Sequence, residues 1–216
     1  MGIKERRERE KDETRHRIMD GARTLFVKHG YEAVSLRKIA EAIEYSPAAV
    51  YVHFRDKEDL IREMCREDFG KLDGAALALA GIADPVERIK EIGRQYVRFG
   101  LENPHHYKLM FMTEAVVQMG AEDKAALEDP SKSGYGLLKQ AAVDAKSAGR
   151  LRDELTDMAL VAQMLWAAVH GVTSLLITMR NDPCVNFHDP RALTELMVEA
   201  AMRGILAEQP SGRKRV

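Results

Sequence analysis

From residue 12 to residue 29 the apolar positions Ile18, Ala22, Leu25 and Phe26 recur at intervals of three and four. That is the spacing of one buried helical face. His29-Gly30 closes the segment, with Gly30 suited to the left-handed residue that ends many helices. Ahead of it, residues 1–11 alternate in charge without an apolar face and are expected to form a solvated arm. Ser35 then caps a short helix with Leu36, Ile39, Ala40 and Ile43 on one side, and Glu44-Tyr45 turns the chain. The next stretch, SPAAVYVHFRDKEDLI, opens with Ser46-Pro47, a cap followed by a proline at the first helical position. Val50 and Phe54 point it inward, and the pattern restarts at Asp56 ahead of Leu60 and Ile61. The first 55 residues therefore predict three short helices with tight turns.

Longer helices follow. One runs from Asp56 toward Phe69 or beyond. Asp84-Pro85 and Asp189-Pro190 mark helix starts near 85 and 190. Asn103-Pro104 separates two helices, residues 120–134 read as a loop with room for a short helix, and Gly149 ends another helix. A long apolar helix fits 157–180, carrying Leu160, Met164, Ala167, Ala168, Gly171, Leu175 and Met179. No strand pattern competes, so the fold class is all-α. The expected division is a charged arm (1–11), a three-helix domain (12–56), a helical bundle (57–208) and a disordered tail (209–216).

Composition narrows the function without naming it. The 216 residues are 45% hydrophobic and 31% charged, ordinary for a globular protein. No apolar run is read as reaching the roughly 18–20 residues that span a bilayer, and the N-terminus has no apolar signal core. Cys65 and Cys184 make neither a disulfide framework nor a metal spacing. A cytoplasmic protein without cofactor is the expectation, and no membrane partner. Net charge is −1, yet residues 1–57 carry 13 Lys+Arg against 10 Asp+Glu. The N-terminal quarter is mildly basic and the remainder mildly acidic.

Two short helices joined by a tight turn and braced by a third make a helix-turn-helix. Its second helix would begin at Ser46, short enough for a DNA major groove about 12 Å wide. Tyr51 and His53 fall off the inward face set by Val50 and Phe54, where a hydroxyl and a ring N–H suit phosphate contacts. Lys57 stands in the first turn of the next helix, where unpaired N–H groups and a cation favour an anion.

These residues resemble the TetR family of bacterial transcriptional regulators. The family pattern S-x-x-x-[LV]-Y-x-[HY]-F-x-x-K-[ED]-x-L is met by Ser46, Val50, Tyr51, His53, Phe54, Lys57, Glu58 and Leu60. Ser35 to Ala42 (SLRKIAEA) matches upstream, so the resemblance covers about residues 12–61. WAAVHG, from Trp166 to Gly171, is similar to the W-x-x-x-H-G signature of one C-terminal class. The resemblance implies that Ser46, Tyr51, His53 and Lys57 position the DNA backbone. It departs at Glu44, where the family usually has Gly; a left-handed conformation there would cost about 1 kcal/mol.

For base reading, Pro47, Ala48 and Ala49 can pack only on thymine methyls. Arg37 is the best candidate for a bidentate pair with guanine O6 and N7. A homodimer would present two such helices roughly 34–36 Å apart to a near-palindromic site. Ala167, Ala168 and Gly171, with Ala200, Ala201 and Gly204, are small residues that allow close helix approach. Leu175, Leu193 and Met197 flank them, with Ile205, in a four-helix interface between two copies. The resemblance also implies a small-molecule effector pocket, for which Tyr96, Phe99, Tyr107, Met110, Phe111, Met164, Trp166 and His170 are the candidates. Their composition favours an apolar or aromatic effector. His105, His106 and His170 lack the partners at helical spacing that a metal site needs. The function expected is a repressor released from DNA by its effector. The alternatives are an architectural or ligand-insensitive helix-turn-helix protein and, more remotely, a helical-bundle enzyme, for which no nucleophile elbow, phosphate loop or metal set is present.

Overall fold

The computed structural model describes residues 2–112, 121–180 and 182–208. The tail expected at 209–216 lies outside the described residues. Among the described residues ten helices follow in order: α1 (Ile3–His29), α2 (Leu36–Ala42), α3 (Pro47–Tyr51), α4 (Lys57–Leu77), α5 (Pro85–Glu102), α6 (Pro104–Phe111), α7 (Ala121–Glu128), α8 (Gly134–Ser147), α9 (Met158–Thr178) and α10 (Pro190–Ile205). The caps read from the sequence are in place: Ser35, Ser46, Asp84 and Asp189 each accept a first-turn N–H. The fold is all-α, with one isolated antiparallel bridge between Leu151 and Leu206 among the described residues.

The chain divides into two compact units. The first comprises residues 1–69 and 105–118, the second 70–104 and 119–216. This division cuts through α4, not at residue 56. The reason is the apolar face of α4: Leu60, Ile61, Met64 and Cys65 complete the core that Ile18, Ala22, Ile39, Val50 and Phe54 begin. Leu109 of α6 joins the same core. The residues expected as an arm are instead the first turns of α1, exposed but helical. Glu5 accepts the Gly2 N–H at 2.9 Å and Arg6 pairs with Glu10 at 2.7 Å, local contacts that support helix without an apolar face.

In the second unit α5 packs on α8, α9 and α10. Ile89, Ile92, Leu138, Ala141, Val161, Leu165, Val198 and Met202 form its core. Ion pairs lace the helices: Arg94 meets Glu195 at 2.8 Å, Lys90 meets Glu199 at 2.7 Å, and Arg88 meets Asp144 at 3.0 Å. Helix α9 corrects one expectation, because by length and composition it is apolar enough to cross a membrane. Its polar residues are all uncharged, so an unbroken-run count undervalues it. One stripe of it, with Val161, Ala162, Leu165, Val169, Thr173 and Leu176, is buried.

Candidate functional site

In the first unit, α2 and α3 meet through a turn whose geometry is fully determined. Glu44 has φ +59°, the left-handed region. The Tyr45 N–H donates to the Ala40 carbonyl at 2.9 Å and the Glu44 N–H to the Glu41 carbonyl at 3.2 Å. This pair of bonds is a Schellman termination, with Glu44 at the position that favours glycine. Close behind it, a Cβ added to Gly21 of α1 would lie 2.4 Å from Cγ2 of Ile43. Gly21 thus lets α1 seat directly against the end of α2.

Helix α3 is one and a half turns long. Ser46 accepts the Ala49 N–H at 3.2 Å, and Val50 and Phe54 are fully buried. The Ser46 hydroxyl is therefore committed to the cap. Tyr51 is 56% exposed, beside the still more exposed Val52, a surface residue that the sequence reading passed over. His53 corrects the expectation of an exposed ring: it is half-buried, and its Nδ1 is buried without a hydrogen-bond partner among the described residues. Burial, then the nearby Lys11 and Arg15 charges, hold it below the usual imidazole range. Lys57 opens α4, but its ammonium lies 3.9 Å from the centre of the Tyr31 ring and donates to the Tyr31 carbonyl at 3.1 Å. Arg37 is exposed on α2, as is Ala48 at the start of α3, while Pro47 and Ala49 are half-buried.

A buried charge cluster in this unit was not foreseen. Asp68 of α4 is fully buried and accepts two bonds from the Arg23 guanidinium, at 2.6 and 3.1 Å. His106 of α6 takes the same carboxylate at 2.7 Å through Nδ1. The signal was available: Asp68 stands four residues after Met64, an acid on an otherwise apolar face. Cys65 beside it is buried, and burial pushes its thiol up to about 11, which makes it a poor nucleophile.

The candidate effector residues divide between the units. Tyr107 and Met110 are buried in the first, where Tyr107 packs on Phe111 with ring centres 4.8 Å apart. In the second, Tyr96 and His170 come together: the Tyr96 hydroxyl lies 3.0 Å from His170 Nδ1. Burial lowers the His170 pKa, which disfavours the charged ring. Trp166 stands edge-on to His170 at 6.3 Å and tilted to Tyr135 at 5.9 Å. Phe99 is buried, whereas Met164 is exposed, on the outer side of α9 with Leu160 and Ala167. That outer side continues through Leu175, and on α10 through Leu196, Ala200 and Gly204. Ala168, Gly171 and Leu193 are half-buried, but Met197 and Ala201 pack against the second unit's own core.

With this geometry in view, the comparisons with known proteins are decisive about family. The model of bacterial regulatory proteins of the tetR family matches residues 18–64. That of the tetracyclin repressor-like C-terminal domain matches residues 89–201, over half of the chain. The chain belongs to the TetR family. It is 35% identical over 98 residues to the HTH-type transcriptional repressor AcnR of Corynebacterium glutamicum, covering 45% of each chain. A similar repressor of Mycobacterium tuberculosis is 39% identical over 62 residues, 29% of this chain and 33% of that one. The chain thus spans less than half the length of these curated relatives. A TetR family regulator of Marinobacter aquaeolei VT8 shares the fold with a TM-score of 0.69, at 21% identity over 94% of this chain and all of that one. These curated relatives are named as repressors of transcription.

Proposed function

We propose that this protein is a cytoplasmic DNA-binding transcriptional repressor, a homodimer that binds a near-palindromic operator and releases it when a small apolar or aromatic effector binds. The observation that carries the reading is α3: a capped, one-and-a-half-turn helix with Val50 and Phe54 anchoring one side and Tyr51 exposed on another. A helix so short and so firmly seated can enter a major groove end-on without burying its own scaffold. Tyr51 and Lys57 then hold phosphates, with Lys57 leaving or sharing its Tyr31 perch. Arg37 reads a guanine, and Pro47, Ala48 and Ala49 pack on thymine methyls. Ser46 and His53 act from behind, Ser46 as the cap and His53 as a half-buried ring.

Dimerisation is supported by the outer face of α9 and α10. Leu160 is 63% and Leu196 68% exposed, in line with Ala167, Leu175, Ala200 and Gly204. Large apolar side chains flanking small ones at three- and four-residue spacing fit a second helix pair. The effector reading rests on Tyr96, Trp166 and His170, a mostly aromatic cluster whose imidazole is pushed toward the neutral form by burial. An effector that reverses binding must prefer one state of the protein over the other.

The test is selection of binding sites from random duplex DNA, repeated with two variants. Arg37→Ala should cost about 1–3 kcal/mol and relax the preference at one base pair, while Lys57→Ala should weaken all sequences alike. An Arg37→Ala variant with unchanged base preference would remove Arg37 from the reading head.

A further inference from the structure

We propose that the first three turns of α1 are a second DNA-contacting element, in which Lys4, Arg7 and Lys11 bind backbone phosphates of the duplex flanking the bases that α3 reads. The inference rests on the DNA-binding reading above and extends it to a surface outside the helix-turn-helix. The stripe follows from register. Lys4, Arg7, Lys11 and Arg15 are spaced by three, four and four residues, so they share one face of the helix. The same spacing continues through Ile18 and Ala22, both fully buried in the core of the unit. The face that α1 turns toward its own unit is thus apolar from Ile18 onward and cationic before it.

Two contacts fix where this face leads. The Arg15 guanidinium lies 4.8 Å over the ring of Phe54, just beyond α3, and pairs with Glu63. Lys11 and Arg15 are both near enough to the His53 ring to depress its protonation. The stripe therefore starts beside the C-terminal end of α3 and runs away from it along the exposed helix. From Arg15 back to Lys4 it extends roughly 16 Å, the length of about five base pairs. Glu8, one helical turn from both Lys4 and Lys11, offsets part of the stripe's charge and leaves Lys4, Arg7 and Lys11 with a net charge of +2. Glu10 pairs with Arg6 and Glu5 holds the Gly2 N–H, both off the stripe, and Glu8 borders it. Lys4, Arg7 and Lys11 are exposed and without an ion pair among the described residues. A like-charged row, kept helical by contacts on its other faces, costs repulsion that a row of phosphates relieves.

The test compares the full-length wild type with two variants on one selected duplex, in a long form with at least five flanking base pairs on each side and in a trimmed form. The first variant is Lys4→Gln, Arg7→Gln, Lys11→Gln. The second, with the same charge change off the stripe, is Lys28→Gln, Lys108→Gln, Arg191→Gln. Circular dichroism checks that both stay helical. On the long duplex the first variant should bind at least about tenfold more weakly. The slope of log affinity against log salt should be less steep by roughly 2–3 for each protomer. The second variant should match wild type, and the trimmed duplex should largely erase the difference. Equal slopes for the two variants, or an equal loss on the trimmed duplex, would overturn the inference while leaving the repressor reading intact. A wild-type protein that selects no duplex at all would overturn both.

Discussion

Replacing Glu44 by glycine should make this protein more stable. A side chain held at φ +59° brings Cβ against the following carbonyl, at a cost of about 1–2 kcal/mol. Glycine removes that cost but loses more chain entropy on folding, about 0.4–1 kcal/mol. The net gain from Glu44→Gly is then about 1 kcal/mol, while Glu44→Ala keeps Cβ and gains nothing. The Gly-minus-Ala difference isolates the backbone term, because both variants remove the same exposed charge. For a chain of this size a gain of 1 kcal/mol raises the melting temperature by about 2–4 °C. The probe matters: the single tryptophan, Trp166, belongs to the other unit, so calorimetry or amide exchange at Ile43 and Tyr45 should be used. A Glu44→Gly variant no more stable than Glu44→Ala would refute the strained-turn account.

Gly21→Ala should destabilise the first unit by about 1–3 kcal/mol, since its Cβ would overlap Ile43, and the loss should shrink when Ile43 is also changed to Ala; urea denaturation of the double-mutant cycle measures the coupling. Asp68→Ala should cost about 3–5 kcal/mol by leaving the Arg23 guanidinium buried without its partner, read as a lower denaturation midpoint. His170 has its pKa depressed by burial, so the unfolded chain binds its proton first as pH falls. Stability of the second unit should therefore be fully present above about pH 6.5 and decline below it; urea unfolding followed by Trp166 fluorescence should show this, and His170→Phe should flatten it. Leu196→Glu should convert a dimer to monomers in analytical ultracentrifugation, and an unchanged sedimentation coefficient would count against the α9–α10 face.

Most of the fold was legible because the caps and apolar faces agree. Ser46-Pro47, Asp84-Pro85 and Asp189-Pro190 each begin the helix they predict. Apolar periodicity does not reveal the first turns of α1, because they are exposed and local Arg6–Glu10 and Gly2–Glu5 contacts support them. His53 was misread because i+3 spacing from Val50 says nothing of the chain turning back after Tyr51, which buries one edge of the ring. Met164, Leu160 and Leu196 show the limit for apolar residues on α9 and α10: the sequence marks them as hydrophobic, but only packing tells an inner stripe from an outer one.

The measurement that bears most directly on the account is titration of the selected duplex with wild-type protein at several salt concentrations, with stoichiometry read from the same samples. Two protomers on one two-fold symmetric duplex, with affinity falling steeply as salt rises, is the predicted result. Failure to enrich any duplex, or a single protomer bound with little dependence on salt, would contradict it.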